Sequence, residues 1–209
     1  IKKKTERLIK LKKSIPLESI KEYDPDSMNY IDFRKTIESN ISKEKISIIA
    51  EIKKASPSAG IIVQDYNPVK IAEKFNENKV TCLSVLTEEE FFLGSLDHIY
   101  KIKSKMISMD SSGMHLPILC KDFFIDPYQI HLAKYYGADA ILIILSAVTE
   151  KVANQLYEEA LKLDMSVIVE VHTKDEAKYS LKFSDALIGI NNRNLKTLKT
   201  DINTTFDIH

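Results

Sequence analysis

Charged or polar side chains recur at the ends of apolar runs in this sequence. They are Glu51 and Lys53, Thr87, Lys121, Glu170, Asn191 and Arg193. A carboxylate or ammonium group that is partly removed from water and faces an opposite charge has a shifted pKa, which suits it to general acid or base catalysis. Such residues at the carboxyl ends of parallel strands are typical of barrel enzymes. The pattern therefore predicts a site for proton transfer.

Glu51 and Lys53 lie two residues apart in an apolar run, so a β-strand would place both side chains on one face. Ile48, Ala50 and Ile52 would share the other face. If these apolar residues pack against helices, Glu51 and Lys53 point into the mouth of a barrel. The alternative is a surface ion pair on an edge strand, although the flanking residues are more apolar than an edge usually carries.

Lys121 ends a second apolar run, and Glu170 lies among β-branched residues in a third. A glutamate is rarely buried without a partner, and Lys53 or Lys121 would provide one across the mouth of a barrel. The alternative for Lys121 is an extended side chain that carries its ammonium group to solvent.

Asn191 and Arg193 close the last apolar run with an amide and a guanidinium group. This combination suits a bound carboxylate or phosphate, whereas a simple turn would explain the asparagine but not the arginine. The loop Ala55–Gly60 consists of small residues whose hydroxyls and backbone amides could hold an anion. Taken alone, that loop is more simply interpreted as an ordinary turn.

Histidine and cysteine residues do not indicate a metal site. Four histidines, His98, His115, His131 and His172, share no ligand spacing. Cys82 and Cys120 lie inside apolar runs, also without metal-type spacing. We therefore expect two buried, reduced thiols, as in a cytoplasmic protein.

Six β-rich runs alternate with helical segments after residue 45. The runs are Ile46–Lys53, Val80–Leu86, Pro117–Lys121, Ala138–Leu145, Ser166–Val171 and Ala186–Ile190, and the helices lie near Pro68–Asn78, Leu96–Met106, Pro127–Tyr136, Thr149–Leu163 and Lys174–Lys182. This alternation indicates an α/β fold of parallel βαβ units, either a doubly wound sheet or a (β/α)8 TIM barrel. The strands lack a following glycine-rich phosphate motif and end in charged residues, which favours the barrel.

The first 45 residues have a different pattern and predict an N-terminal helical extension. Lys2 to Ile15 has apolar residues at helical spacing, which predicts an amphipathic helix with a solvated basic face that ends at Pro16. A second helix is expected over Tyr30 to Ile41. A basic arm for nucleic acid or membranes is the alternative for the first helix. We expect one domain overall, with the extension at residues 1–45 and the barrel at residues 46–209.

Composition disfavours several classes of partner. The 209 residues include 30 Lys and Arg and 30 Asp and Glu, whereas general nucleic-acid binding needs clustered excess cations. The strongest apolar run, Ala140 to Val148, is about half of the roughly 18 residues that span a bilayer. No secretory signal is visible. We therefore expect a cytoplasmic protein that binds neither nucleic acid nor membranes.

Six segments, taken in order, carry the motifs of one enzyme family. They are Ile49–Gly60, Ser84–Phe92, Leu119–Gln129, Gly137–Leu142, Val169–His172 and Gly189–Leu195. Together they resemble indole-3-glycerol-phosphate synthases, TIM-barrel lyases of tryptophan biosynthesis. The resemblance covers nearly the whole chain and includes the N-terminal helix that ends at a proline.

The resemblance implies both a reaction and a set of site residues. The family converts 1-(2-carboxyphenylamino)-1-deoxyribulose 5-phosphate to indole-3-glycerol phosphate, releasing carbon dioxide and water, without cofactor or metal. Lys121 would be the general acid at the ribulose carbonyl, Glu170 would act in the later dehydration, and Lys53 would be a further proton donor or charge stabiliser. The remaining implied residues are Glu51 and Asn191, which hold hydroxyls and the catalytic lysines, Ser56, Pro57, Ser58, Phe92 and Phe123, which shape the anthranilate pocket, and Arg193, which anchors an anionic group. The motifs do not fix which group moves each proton.

The motifs stop before the end of the family pattern. Family members continue with the seventh and eighth strands, whose loops grip the substrate phosphate. Six strands alone would leave exposed edges in an eight-stranded barrel. We therefore expect the last two βα units to be missing, because the chain is an incomplete copy or only its ordered part.

Two other functions remain as alternatives. The sister enzyme phosphoribosylanthranilate isomerase relies on a cysteine and an aspartate, whereas Cys82 and Cys120 lie within strands rather than at strand ends. A truncated, catalytically impaired barrel that binds a sugar phosphate or a partner chain is the alternative that is not an enzyme. The expected partner is a small anthranilate–sugar phosphate substrate. A monomer and a fusion or contact with other tryptophan-pathway enzymes are both compatible with the sequence.

Overall fold

The computed structural model describes residues 1–21, 28–108, 116–194, 197 and 199–208 as an α/β protein. The strands are β1 (Ile49–Ile52), β2 (Ala55–Ser56), β3 (Gly60–Ile61), β4 (Cys82–Leu86), β5 (Ile118–Lys121), β6 (Ala140–Ile144), β7 (Ser166–Val171) and β8 (Ala186–Ile190). The helices are α1 (Lys2–Ser14), α2 (Leu17–Lys21), α3 (Phe33–Ile41), α4 (Pro68–Glu77), α5 (Leu96–Ser108), α6 (Tyr128–Tyr135), α7 (Glu150–Lys162), α8 (Lys174–Ser180) and α9 (Asn203–Ile208). None of the helices in these ranges has the length and apolarity that a bilayer crossing requires.

Six strands of the described chain form one parallel sheet, in the order β1-β4-β5-β6-β7-β8. Strands that are neighbours in this sheet follow one another along the chain, apart from the separate hairpin of β2 and β3. The order therefore never reverses, as it does in a doubly wound fold. The sheet is curled, as a contact between residues that follow its two edge strands shows. Arg193 after β8 reaches Ser58 after β1, with 3.5 Å between Nη1 and Oγ. The predicted α/β barrel architecture is therefore confirmed as a curled half-barrel of six strands.

The strands alternate strictly between an outer and an inner core. Leu83 and Val85 of β4 face the surrounding helices and pack in the larger cluster of buried residues. Cys82 of β4 and Leu119 of β5 belong to a separate, inner cluster together with Ile168 of β7. Because side chains alternate along a strand, the outer cluster fixes which residues point inward.

The helix α3 covers the amino ends of the strands. Its Phe33 is fully buried in the inner cluster, and Ile37 packs beside it. The backbone amide of Arg34 donates to Ser166 Oγ at the start of β7, at 3.2 Å. Asp32 caps the helix by accepting a hydrogen bond from the amide of Lys35. One end of the half-barrel is therefore filled by the N-terminal extension.

The helix α1 lies against the loops that follow β4 and β5. Lys4 Nζ is 2.6 Å from Asp122, and Lys12 Nζ is 2.6 Å from Asp126. Arg7 pairs with Glu89, and Leu8 is buried against α6. The predicted amphipathic helix is present, but several of its basic side chains pair with loop carboxylates, whereas the sequence predicted a solvated basic face.

Several elements differ in detail from the sequence-based expectation. The strand β1 begins at Ile49, and Ile46 is 90% exposed. The loop expected at Ala55–Gly60 contains an antiparallel hairpin of β2 and β3, where Gly60 adopts a positive φ of 64°. The chain resumes as helix α2 directly after Pro16, because proline is tolerated where a helix starts.

A buried ion pair joins α5 to the chain just before β6. Lys103 Nζ lies 2.8 Å from both carboxylate oxygens of Asp139, and the two side chains are 2% and 0% exposed. The backbone amides of Ile31 and Ile118 also donate to this carboxylate, each at 2.8 Å. The Asp139 carboxylate therefore links an outer helix, the N-terminal extension and the start of β5.

We expect Asp139→Asn to lower the free energy of unfolding by about 3–5 kcal/mol, because Lys103 would keep a buried charge without its counterion. Urea denaturation measures this loss. Asp185→Asn is the matched control, since Asp185 pairs with Arg34 but is 62% exposed, and its loss should stay below about 1 kcal/mol. Equal losses in the two variants would contradict the prediction.

A second prediction concerns His98 on α5. Its ring lies 5.3 Å from that of Tyr66, and burial lowers the pKa of His98 from its ordinary value of 6.5. Below about pH 6.5 the unfolded chain binds a proton at this position that the folded chain binds only at lower pH. The free energy of unfolding should therefore fall between pH 7 and pH 5 more steeply than in His98→Gln. Parallel pH dependences, measured by urea denaturation, would be inconsistent with this expectation.

Candidate active site

The inner-face positions of the strands meet at the carboxyl end of the half-barrel. The alternation places Glu51 of β1, Lys121 of β5 and Glu170 of β7 on the same face as the inner cluster. Asn191 follows β8 at an inner-face position, and its backbone amide donates to Val171 O at 3.0 Å. Because the strands are parallel, these side chains lie at one end of the sheet.

Lys121 and Glu170 form the central contact of this end. Lys121 Nζ is 3.7 Å from Glu170 Oε2, and the side chains are 30% and 10% exposed. Asn191 Nδ2 donates a hydrogen bond of 2.9 Å to the other carboxylate oxygen, Oε1. The nearly buried carboxylate therefore faces an ammonium group on one side and an amide donor on the other.

Glu51 and Lys53 pair with each other on the first strand of the sheet. The ammonium group of Lys53 contacts Glu51 Oε1, and about a third of each side chain is exposed. Glu170 is paired with Lys121, so of the two cations that the sequence offered, the nearer one comes from β5. The strand β1 is an edge of the described sheet, and Ile49 is 38% exposed, so the pair lies on the inner face of an edge strand.

Hydroxyl groups after β1 and the guanidinium group after β8 lie side by side. Arg193 Nη1 is 3.5 Å from Ser58 Oγ, and the Oγ atoms of Ser56 and Ser58 are 3.5 Å apart. Ser56 Oγ accepts a hydrogen bond from the amide of Ala59, while Pro57 is exposed. The backbone amide of Arg193 donates to Asn191 Oδ1 at 2.9 Å. This corner presents one cation and two hydroxyls.

The two phenylalanines have different surroundings. Phe123 is partly buried and packs against the inner cluster. Phe92 belongs to the loop after β4, where Glu88 accepts hydrogen bonds from the amides of Glu90, Phe91 and Phe92. In the sequence, Glu88 stood out only as a member of the segment Ser84–Phe92, and its role in holding the loop was not predicted. Burial of a carboxylate in an acidic segment could have suggested backbone donors.

His172 is the other residue that the sequence missed. Its ring Nε2 lies 3.4 Å from Glu170 Oε1, which adds an imidazole to the surroundings of the carboxylate. The available signal was alternation, because His172 follows β7 two residues after Glu170 and therefore has the same parity. Two other residues of the sequence analysis, His115 and Leu195, lie outside the described residues.

The two cysteine side chains are buried and free. Burial raises the pKa of the Cys82 thiol and of the Cys120 thiol to about 12 in each case. Thiols with such values remain protonated at neutral pH, which makes them poor general bases. Within the described ranges there is also no group of three or more His, Cys, Asp or Glu side chains that could hold a metal ion.

These features define a class: an α/β half-barrel that gathers an ammonium group, a carboxylate and an amide at the carboxyl ends of its strands. The sequence model of the family described as indole-3-glycerol phosphate synthase matches residues 1–209. The chain belongs to this family.

Three relatives named indole-3-glycerol phosphate synthase give the extent of the similarity. The protein of Trichodesmium erythraeum (strain IMS101) is 42% identical over 179 residues, which are 85% of this chain and 57% of that protein. The protein of Alkaliphilus metalliredigens (strain QYMF) is 42% identical over 197 residues, 94% of this chain and 71% of that protein. The protein of Legionella pneumophila (strain Paris) is 42% identical over 207 residues, 99% of this chain and 75% of that protein. The matches thus span between 57% and 75% of the lengths of these relatives.

We expect neither cysteine to react with a disulfide reagent in the folded protein at neutral pH, because both thiols are buried and protonated. Both should react after unfolding in guanidinium chloride. With dithiobis(nitrobenzoate) as the reagent, the absorbance of the released thionitrobenzoate measures the number of reactive thiols. Rapid labelling of Cys120 without denaturant would contradict the burial described above.

Proposed function

We propose that this chain has the activity of its family, a carbon–carbon lyase reaction of the carboxy-lyase type. The substrate is 1-(2-carboxyphenylamino)-1-deoxyribulose 5-phosphate, and the products are indole-3-glycerol phosphate, carbon dioxide and water. The contact of Lys121 with Glu170 is the observation that carries the proposal, because the reaction needs a proton donor and a proton acceptor in one site. The motifs that resemble the family lie on the same strand ends.

Ring closure is the first step assigned to Lys121. The aromatic carbon that bears the carboxylate attacks the ribulose carbonyl carbon, and the carbonyl oxygen takes a proton from the ammonium group. The C–CO2 bond then breaks, and its electrons restore the aromatic ring as carbon dioxide leaves. The Lys121 side chain is only 30% exposed, so its ammonium group stabilises the developing charge on the oxygen more strongly than it would in water.

Dehydration is the step assigned to Glu170. The new hydroxyl group leaves as water after taking a proton, and the neighbouring carbon loses a proton to the carboxylate as the indole double bond forms. Lys53 is the proposed proton donor or charge stabiliser near the leaving oxygen, with Glu51 as its counterion. Asn191 donates to Glu170 and is the proposed support of the carboxylate. Distinct surroundings allow one site to contain an acid and a base.

Substrate binding is assigned to the corner between β1 and β8. Arg193 is the proposed anchor for an anionic group, because a guanidinium group beside the Ser58 hydroxyl can donate to carboxylate or phosphate oxygens. The proposed walls of the anthranilate pocket are Ser56, Pro57, Ser58, Phe92 and Phe123. Holding a flexible substrate in a closed geometry contributes to the rate by reducing the entropy that must be lost on reaching the transition state.

The buried, protonated cysteines argue against the sister isomerase, whose reaction would use a cysteine as base. The proposed partner is the small anthranilate–sugar phosphate substrate. A cytoplasmic location stays a prediction from the sequence. Binding to neither nucleic acid nor membranes also stays a prediction.

We expect Lys121→Ala in the full product of the gene to lower kcat/KM by about 10²–10⁴, because the variant lacks the general acid. Indole fluorescence follows product formation. Lys162→Ala is the matched control, since Lys162 lies on α7 with 68% of its side chain exposed, and its rate should match that of the unsubstituted protein. Near-normal turnover by Lys121→Ala would remove the mechanism proposed here.

A further inference from the structure

We infer that His172 is a positioning residue for Glu170, an inference that rests on the proposed function. The imidazole lies beside the carboxylate, at 3.4 Å between Nε2 and Glu170 Oε1, with 11% of the histidine side chain exposed. Nε2 is buried and, within the described part of the chain, has no hydrogen-bond partner. The partner available to Nε2 is therefore an oxygen of Glu170, the carboxylate that the proposed mechanism uses.

The backbone at His172 is fixed by the start of α8. Glu176 Oε2 accepts a hydrogen bond of 2.7 Å from the backbone amide of His172. In return, Thr173 caps the helix by accepting a hydrogen bond from the amide of Glu176. This reciprocal arrangement resembles a capping box and ties the end of β7 to the helix. The imidazole is thus held by a defined piece of backbone.

Acidic groups face the imidazole from two elements, and a hydroxyl faces it from a third. Glu170 of β7 lies on the Nε2 side, and Glu176 of α8 lies 3.6 Å from Nδ1. Ser146, in the 3-10 turn Leu145–Ala147, has its Oγ 3.4 Å from Nδ1. The donor between Ser146 Oγ and Nδ1 depends on the ring tautomer. In the arrangement that we infer, the hydroxyl donates to Nδ1, the ring proton is on Nε2, and the ring presents an N–H group to Glu170.

The two oxygens of Glu170 have different surroundings as a result. Oε1 is close to two donors, Asn191 Nδ2 at 2.9 Å and His172 Nε2 at 3.4 Å. Oε2 faces Lys121 Nζ at 3.7 Å. Oε1 is thus held while Oε2 remains available for proton transfer. At 3.4 Å, a shift of the carboxylate by a few tenths of an ångström completes a hydrogen bond from His172.

The test compares His172→Leu, which lacks a ring donor, with His172→Gln, whose amide can reach the same oxygen. In the full product of the gene we expect His172→Leu to lower kcat by about 10–100-fold, as loss of a hydrogen bond to a charged group does. KM should change little, since the substrate contacts are kept. His172→Gln should recover most of the rate. His131→Gln is the control, because the His131 side chain is 9% exposed, close to the 11% of His172, but pairs with Glu159 on α7.

A double-mutant cycle separates positioning from a merely structural role. If His172 acts through the charge of Glu170, adding His172→Leu to Glu170→Gln should cause no further loss of the residual rate. Equal losses in both backgrounds, or a change confined to KM, would overturn the inference while the unsubstituted enzyme remained active. Absence of turnover by the unsubstituted protein would instead contradict the proposed function.

A readout without turnover checks the contact itself. In protein labelled with ¹⁵N-histidine, Glu170→Gln should move the Nε2 resonance of His172 but leave that of His131 unchanged. An unmoved His172 resonance would overturn the inference, because the imidazole would then not sense the carboxylate. The measurement is made at one pH and needs no substrate.

Discussion

Strict alternation of side chains across parallel strands is the constraint on which this structure depends. Packing of Leu83, Val85 and their counterparts against the outer helices leaves every second residue facing inward. Those inward positions are apolar near the amino ends of the strands, whereas at the carboxyl ends of β5 and β7 they are Lys121 and Glu170. A shift of one residue in register would move both charged groups into the outer core, so the hydrophobic pattern and the site depend on each other.

The charged groups fall into two kinds with different roles. Lys103 and Asp139 are almost fully buried and satisfy each other, which links elements far apart in sequence. Lys121 and Glu170 are 3.7 Å apart and remain partly open to solvent. The first pair is closed and suits a structural role, whereas the Lys121 side chain of the second pair is 30% exposed and can be reached from solvent. Similar residue types thus differ in function through burial and distance.

Sequence patterns predicted the strands and the inward direction of Glu51, Lys121 and Glu170, because both follow from local periodicity. Local periodicity could not predict the contacts of α1 with the loops after β4 and β5, because ion pairs such as that of Lys4 and Asp122 join residues 118 positions apart. His172 was missed for a related reason: its position depends on where β7 ends and how α8 is capped. Local pattern therefore yields the face of each strand, while long-range contacts decide which side chains meet.

The helix α3 also has a consequence for how the chain folds. Arg34 bonds to Ser166 and Asp185, which lie 132 and 151 positions later. During synthesis on the ribosome, Phe33 therefore emerges long before most of the inner cluster that surrounds it exists. Contacts of such high sequence separation slow folding. Until the later strands are made, the Phe33 side chain lacks most of the cluster that buries it in the folded protein.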